Sequence, residues 1–364
     1  MRVTVLSSTP LNPLEGSGTF VGIAGLAQGL AQLGHQVTLR PLGRRTGFHT
    51  LDRWLYNAGV ALRPPREADL VLGVDLDGFM WARRRALPFV ASLKGIIADE
   101  LRNERGWVRV LLSVQAGWER RNVERADLVV VTSRYSAEVA QREYGVPLER
   151  IAVVPEPIDL EVWDDQFWRV PRRSHNGPVV LSVARMYPRK RLADLLHAAA
   201  ILRARVDGIQ VRIVGRGPEW DTLSRLHAEL GLGDAVALLG DLTREHLAEE
   251  YVNASVFCLP SVQEGFGIVF LEAMAAELPV VACRIAAVPE VVLHDTTGLL
   301  VAPRDPGALA TTIERLIREP ALAKRLGQEG RRRALGFSPR AVAERFLSAV
   351  HSTQDRLGQQ ARGG

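Results

Sequence analysis

The chain has 364 residues, 47% of them hydrophobic, 24% charged and 6% aromatic. That length exceeds one ordinary core and favours two domains of roughly 150 to 200 residues each, while the composition excludes a disordered or fibrous chain. The 46 Lys and Arg outnumber the 41 Asp and Glu to leave a formal charge of +5, spread without a basic tract, so nucleic-acid binding is not implied.

The opening residues MRVTVLSSTP read as a first strand rather than a leader, because the apolar stretch stops at Pro10. No stretch approaches the roughly 18 uninterrupted apolar residues of a membrane-spanning helix. Even 22–34 carries Gln28 and Gln32 at helical period. Cys258 and Cys283 stand in apolar runs without metal-ligand spacing, as buried thiols of a reducing compartment do. A cytoplasmic location is expected, with peripheral contact at an inner membrane surface left open.

Short β-branched runs alternate with amphipathic helical stretches, the pattern of open parallel sheets covered on both faces. The first series of strands is predicted at 2–6, 36–40, 69–74, 89–93, 128–132 and 151–154, with a helix over 19–33. Residues 155–178, rich in Pro, charge and Trp and lacking either period, read as an interdomain linker. A second series follows at 179–183, 210–214, 235–238, 255–259, 279–283 and 299–301, with helices such as 191–204 and 307–318 between strands. A last helix at 339–353 takes Ser338 as its N-cap, and the GQQARGG tail is expected to fray. The expected class is α/β: residues 1–165 with a returning helix at 339–355 form one Rossmann-like domain, and 176–336 form the other.

The stretch 261–279, SVQEGFGIVFLEAMAAELP, carries the most chemistry. A strand ends at Leu259, a loop holds Glu264-Gly265-Phe266-Gly267, and a helix begins near Gly267. The first amides of a helix lack intrahelical partners and its dipole is positive there, so a diphosphate is stabilised at that end. Glu264 in the loop and Glu272 inside the helix can accept hydrogen bonds from different parts of one elongated ligand. Read blandly, they are a helix-terminal charge and a helix-surface residue. After the strand at 179–183, Arg185 and Lys190 lie five apart across a turn containing Pro188, where two cations can meet charge that grows on a leaving diphosphate. Arg189 and Arg191 read as a solvated helix start. The third feature is the Gly-rich run Gly16-Ser17-Gly18, read as a turn between the first strand and helix that approaches a phosphate or sugar, or as an ordinary tight turn.

These residues resemble the retaining nucleotide-sugar glycosyltransferases of family 4, which have the GT-B fold. Glu264-Gly-Phe-Gly with Glu272 is similar to that family's E-x7-E signature, and Arg185 with Lys190 to its basic pair. Gly215-Arg-Gly217-Pro218, Pro279-Val-Val, Pro289-Glu290, Thr297-Gly298-Leu299 and the Gly16/Gly18 run add to the resemblance. It implies two Rossmann-like domains facing across a cleft, with the donor mostly on the second and a sugar or glycolipid acceptor mostly on the first. Arg185 and Lys190 would bind the donor diphosphate, Glu272 the ribose hydroxyls and Glu264 the donor sugar. The amides of Phe266, Gly267, Ile268 and Val269 would cap phosphate and sugar, with Gly215 nearby and Gly16 and Gly18 approaching from the other domain. The resemblance also implies a UDP-, GDP- or ADP-sugar as substrate, with no cofactor and no metal ion.

Three departures stand out. Lys94 occupies the place of a frequent His at the end of the fourth strand, Glu156-Pro157 replaces Asn-Gly, and Ala286-Ala287 replaces a double glycine. Lys94 is expected to pair with a phosphate or carboxylate of a substrate. Asp75-Leu76-Asp77 imitates a metal-binding carboxylate pair but reads as loop capping. Trp54, Trp81, Trp107 and Trp118 read as packing residues, and the arginines at 83–85, 102, 105, 109, 120 and 121 as a solvated surface or a basic face for anionic lipid. Two other readings stay open: a nucleotide-sugar epimerase or hydrolase, and a nucleotide-sugar-binding subunit without transfer.

Overall fold

Two series of β-branched segments fold into two separate parallel sheets, as expected. The computed structural model describes residues 1–9, 13–43, 45–171 and 177–363. In the first sheet β1 (Arg2–Ser7), β2 (Gln36–Pro41), β3 (Leu70–Val74), β4 (Phe89–Leu93), β5 (Leu128–Val131) and β6 (Ile151–Val153) line up as β2-β1-β3-β4-β5-β6. The helices between them are α1 (Pro13–Gln32), α2 (His49–Leu62), α3 (Ile97–Glu100), α4 (Gly106–Arg125) and α5 (Arg134–Tyr144). Every residue of β3, β4 and β5 is buried, which is why these strands are continuous apolar runs: a sheet covered on both faces has no polar side.

The second sheet holds β7 (Val179–Val183), β8 (Gln210–Val214), β9 (Val236–Gly240), β10 (Val256–Leu259), β11 (Val280–Cys283) and β12 (Gly298–Val301), in the order β12-β11-β10-β7-β8-β9. Its helices are α6 (Leu160–Arg169), α7 (Leu192–Arg203), α8 (Trp220–Glu229), α9 (Arg244–Asn253), α10 (Ile268–Ala275), α11 (Val288–Val291), α12 (Pro306–Arg318) and α13 (Pro320–Ala334). The last helix, α14 (Pro339–Gly363), returns to the first sheet, where Val342, Phe346 and Val350 share a core with Ile23, Leu26 and Leu30 of α1. The chain thus divides into two compact units, Met1–Pro157 with Phe337–Gly364, and Ile158–Gly336. Each sheet reverses its strand order once, between β1 and β3 and between β7 and β10, and the carboxyl edge at such a reversal is where open α/β sheets bind ligands.

Three local expectations are corrected. The helix after β1 begins at Pro13, so Gly16 and Gly18 lie in its first turns and not in a strand-to-helix loop. Proline, with its fixed φ and no amide hydrogen, suits a first helical position. Farther along α1, glycine serves close packing: a Cβ on Gly22 would stand 2.0 Å from Glu156 Oε2, and one on Gly29 2.0 Å from the Pro339 carbonyl oxygen. The supposed linker carries α6, capped by Asp159 accepting from the Val162 amide at 3.1 Å, with Trp163 packed edge-on against Tyr251; its residues 172–176 lie outside the described ones. Ser338 does cap the last helix, accepting from the Ala341 amide at 3.3 Å, but that helix continues through most of the tail expected to fray.

Candidate functional site

The loops that follow β7 and β10 meet at the strand-order reversal of the second sheet. The Val262 amide donates to the Arg189 carbonyl at 2.9 Å, which ties the two loops edge to edge. Across that seam Lys190 Nζ donates to Glu264 Oε1 at 2.6 Å, with the two side chains only 13% and 7% exposed. Burial alone would raise the Glu264 carboxyl, but the Lys190 charge and hydrogen bond outweigh it and hold the carboxyl below its usual range. Glu264 is therefore an anion, matched to a cation that a ligand can share.

Immediately beyond, Gly267 takes a left-handed φ of 89° at the N-terminus of α10. A Cβ there would stand 2.6 Å from the Phe270 ring, so both the backbone conformation and the space demand glycine. The turn aims the first amides of α10, those of Ile268 and Val269, at the carboxyl edge. Arg185 is half-buried in the loop after β7. Gly215 after β8 takes φ 113°, and a Cβ there would stand 2.2 Å from the Ala184 carbonyl, so this glycine lets two loops approach one another. Arg189 lies over the Tyr187 ring and Arg191 folds back onto Asp194 in a two-pronged ion pair, so neither is simply solvated.

Glu272 lies inside α10, 7% exposed. Burial pushes its carboxyl up to about 7, against the opposing pull of a Tyr251 hydrogen bond and the Arg244 charge. The Tyr251 hydroxyl donates to Glu272 Oε2 at 2.9 Å from the neighbouring helix α9. Tyr251 escaped sequence reasoning, since HLAEEYVN carries no motif, and only packing reveals it.

The carboxyl edge of the first unit holds a buried polar network. Lys94, at the end of β4, donates from Nζ to Glu156 Oε2 at 2.9 Å, with side chains 9% and 7% exposed. Where a substrate anion is expected beside Lys94, the structure places Glu156 of the same unit, because a buried cation needs a partner. Asp77 accepts from the Ser8 hydroxyl and from Asn57 Nδ2 at 3.0 Å, spanning the strand-order reversal, and Asp75 Oδ1 accepts from the Lys94 amide at 2.9 Å. Burial raises both aspartates, Asp75 to about 6. Both occupy loop-capping roles.

Of the four tryptophans, Trp81 packs edge-on to Phe89 and Trp118 stacks on Phe79, as expected of packing residues. Trp54 and Trp107 are instead exposed, at 42% and 69%, on α2 and α4. These helices are joined by Arg53 donating to Gln115 at 3.2 Å and Gln115 donating to Thr50 at 2.9 Å. Phe48, Leu51 and Leu55 are exposed beside Trp54, and Val110 and Val114 lie on one stripe of α4 with Trp107, at helical spacing. Arg105 and Arg109 are exposed at the same end of α4. Among the described residues no helix is long and apolar enough to cross a membrane.

Comparison with known proteins bears on both units. Residues 164–333 match the family model described as glycosyl transferases group 1, and residues 60–162 match that of glycosyltransferase family 4. An MMP alpha-(1->4)-mannosyltransferase of Mycolicibacterium hassiacum is 28% identical over 98% of this chain and 99% of its own. A GDP-mannose-dependent alpha-(1-6)-phosphatidylinositol monomannoside mannosyltransferase of Mycolicibacterium smegmatis is 34% identical over 67% of this chain and 66% of its own. Among solved structures, sucrose-phosphate synthase from Thermosynechococcus elongatus superposes with a TM-score of 0.80 at 22% identity, covering 98% of this chain and 99% of that one.

Proposed function

From a chain that belongs to the group 1, family 4 glycosyltransferases, using nucleotide-sugar donors, we propose a retaining transfer of a hexosyl group from a nucleoside-diphosphate sugar to an acceptor hydroxyl. The observation that carries this reading is the buried Lys190–Glu264 pair at the strand-order reversal, beside the amide-presenting start of α10. As the anomeric C–O bond breaks, negative charge grows on the departing diphosphate. Lys190, Arg185 and the Ile268 and Val269 amides stabilise it without reorganising, which is the most effective use of fixed charge. Glu264 holds Lys190 in place and accepts from a donor-sugar hydroxyl, and Glu272 accepts from the ribose. No metal ion is assigned a part, because the cationic side chains and the helix terminus supply the positive charge.

GDP-mannose is the first donor to test, followed by UDP- and ADP-sugars, since two of the relatives are named mannosyltransferases and one of them GDP-mannose-dependent. The acceptor is a sugar or glycolipid. The apolar and basic face of α2 and α4 supports an acceptor at an anionic membrane surface, because tryptophans and arginines together suit the interface between headgroups and acyl chains.

The deciding experiment incubates the purified protein with each donor, with and without an acceptor panel, and follows nucleotide release and product stereochemistry. Acceptor-dependent release with an α-linked product from an α-linked donor supports retaining transfer. Release without acceptor indicates the hydrolase or epimerase reading, and binding without release indicates a nucleotide-sugar-binding subunit.

A further inference from the structure

Tyr251 is completely buried in the second unit, and its single polar atom is spent on Glu272. A buried phenol costs free energy unless its hydroxyl finds a partner. Here the partner is a carboxylate, and the direction of the bond is set by the ring rather than by chance. Trp163 meets the ring edge-on at 5.5 Å, Phe167 lies at 6.4 Å and Phe257 stacks at 6.1 Å, with Phe257 in turn edge-on to Phe270 of α10. Held from α6 on one side and from β10 on the other, the ring cannot swing, so the hydroxyl is a fixed point against which the Glu272 carboxylate is oriented.

We propose that Tyr251 is a positioning residue for the nucleotide, fixing the Glu272 carboxylate so that its remaining acceptor sites meet a ribose diol. The inference rests on the reading of Glu272 as the ribose acceptor. A carboxylate offers about four acceptor positions on two oxygens. Tyr251 takes one on Oε2, and the others suit a pair of vicinal hydroxyls. Without the Tyr251 hydroxyl the carboxylate rotates about its last bond, and the ordering cost of binding a diol rises. The hydroxyl also opposes the upward push of burial on Glu272, so its loss favours the protonated acid, a poorer acceptor. Trp163 and Phe167 belong to α6, the first helix of the second unit, so that helix braces the nucleotide site through one aromatic ring.

The test uses the full chain and two ligands, whichever of UDP, GDP and ADP binds most tightly and its 2′,3′-dideoxy counterpart, with affinities measured by calorimetry. Tyr251→Phe keeps the ring and removes only the hydroxyl. The expected result is a roughly 10-fold loss for the ribonucleotide with the dideoxy ligand unchanged, the cost of immobilising on binding a carboxylate that the hydroxyl no longer holds. Equal losses for both ligands, or no loss for either, overturn the proposal. Should Tyr251→Phe fail to fold, Trp163→Phe loosens the cage while keeping the hydroxyl, and a loss confined to the ribonucleotide is again required. Glu272→Gln runs in parallel. If it leaves the preference for ribose intact, the reading of Glu272 is at fault; if it abolishes that preference while Tyr251→Phe does not, positioning alone fails.

Discussion

Lys94 and Glu156 form one buried ion pair, Nζ to Oε2 at 2.9 Å, although they lie 62 residues apart and at the ends of strands separated by β5. Glu156 is pressed against α1, where a Cβ on Gly22 would stand 2.0 Å from its Oε2. Two departures that look independent along the sequence are therefore one exchange of partners. Lys94→Met leaves the carboxylate buried and uncompensated, so it is expected to destabilise the protein by about 3 to 5 kcal/mol. Lys94→Met combined with Glu156→Gln removes both charges and recovers most of that loss. Chemical denaturation of wild type, both single variants and the double variant checks this; single losses that simply add would contradict a coupled pair.

Lys190 carries two burdens, compensation of buried Glu264 and attraction of the donor diphosphate. Lys190→Ala is expected to lower kcat/KM for the donor by roughly 100-fold or more, the effect typical of losing one fixed electrostatic contact to a developing anion. Its partner gives a stability signature. Because Glu264 is held below its usual range, it contributes stability that is present above its unfolded value of about 4.3 and is lost as pH falls through the lower folded value. The stability advantage of wild type over Glu264→Gln should therefore shrink as pH drops below about 4. Melting curves recorded across that interval decide it, and a constant gap would count against the ion pair.

Glu272 has the opposite sign. Its folded value of about 7 lies above the unfolded value, so the native state holds an extra proton between the two. The cost of the buried anion is fully present above about pH 7 and is relieved as pH falls toward 4.3. Relative to Glu272→Gln, wild type should gain thermal stability from pH 7.5 down to about 5. Parallel melting-temperature profiles for the two proteins would show that the carboxyl titrates elsewhere.

The central strands β3 and β5 were legible because a strand buried on both faces writes itself as a nearly uninterrupted apolar run, DLVLGV and LVVVT. The loop Glu264–Gly267 was legible because a left-handed turn before a helix needs glycine, and Gly267 takes that conformation. What escaped reading depends on contacts far apart in sequence. Gly16 and Gly18 looked like a turn because glycine marks turns and close approaches alike, and α1 uses its later glycines for the second purpose. Tyr251 and the Lys94–Glu156 pair leave no local pattern, since their partners come from other elements. Trp54 and Trp107 misled because a tryptophan's usual place is a core.

The exposed tryptophans lead to the last prediction. Trp107 and Val110, Leu111 and Val114 repeat at i, i+3, i+4 and i+7 along α4, and the other side of that helix is already committed to the core through Ala116 and Val123. A second apolar stripe on a helix already packed on one side is unfavourable in water. Its neighbours Arg105 and Arg109 place positive charge at the same end, which matches an anionic lipid surface rather than a neutral protein core. Wild type should float with vesicles containing about 30% phosphatidylglycerol and stay below neutral ones, and about 1 M salt should weaken the attachment by screening the arginines. Trp54→Ser with Trp107→Ser should abolish flotation even at low salt, since the aromatic rings supply the insertion that charge alone does not, while turnover of a water-soluble acceptor stays unchanged. Flotation that survives loss of both tryptophans, or that ignores lipid charge, would assign this face to some other partner.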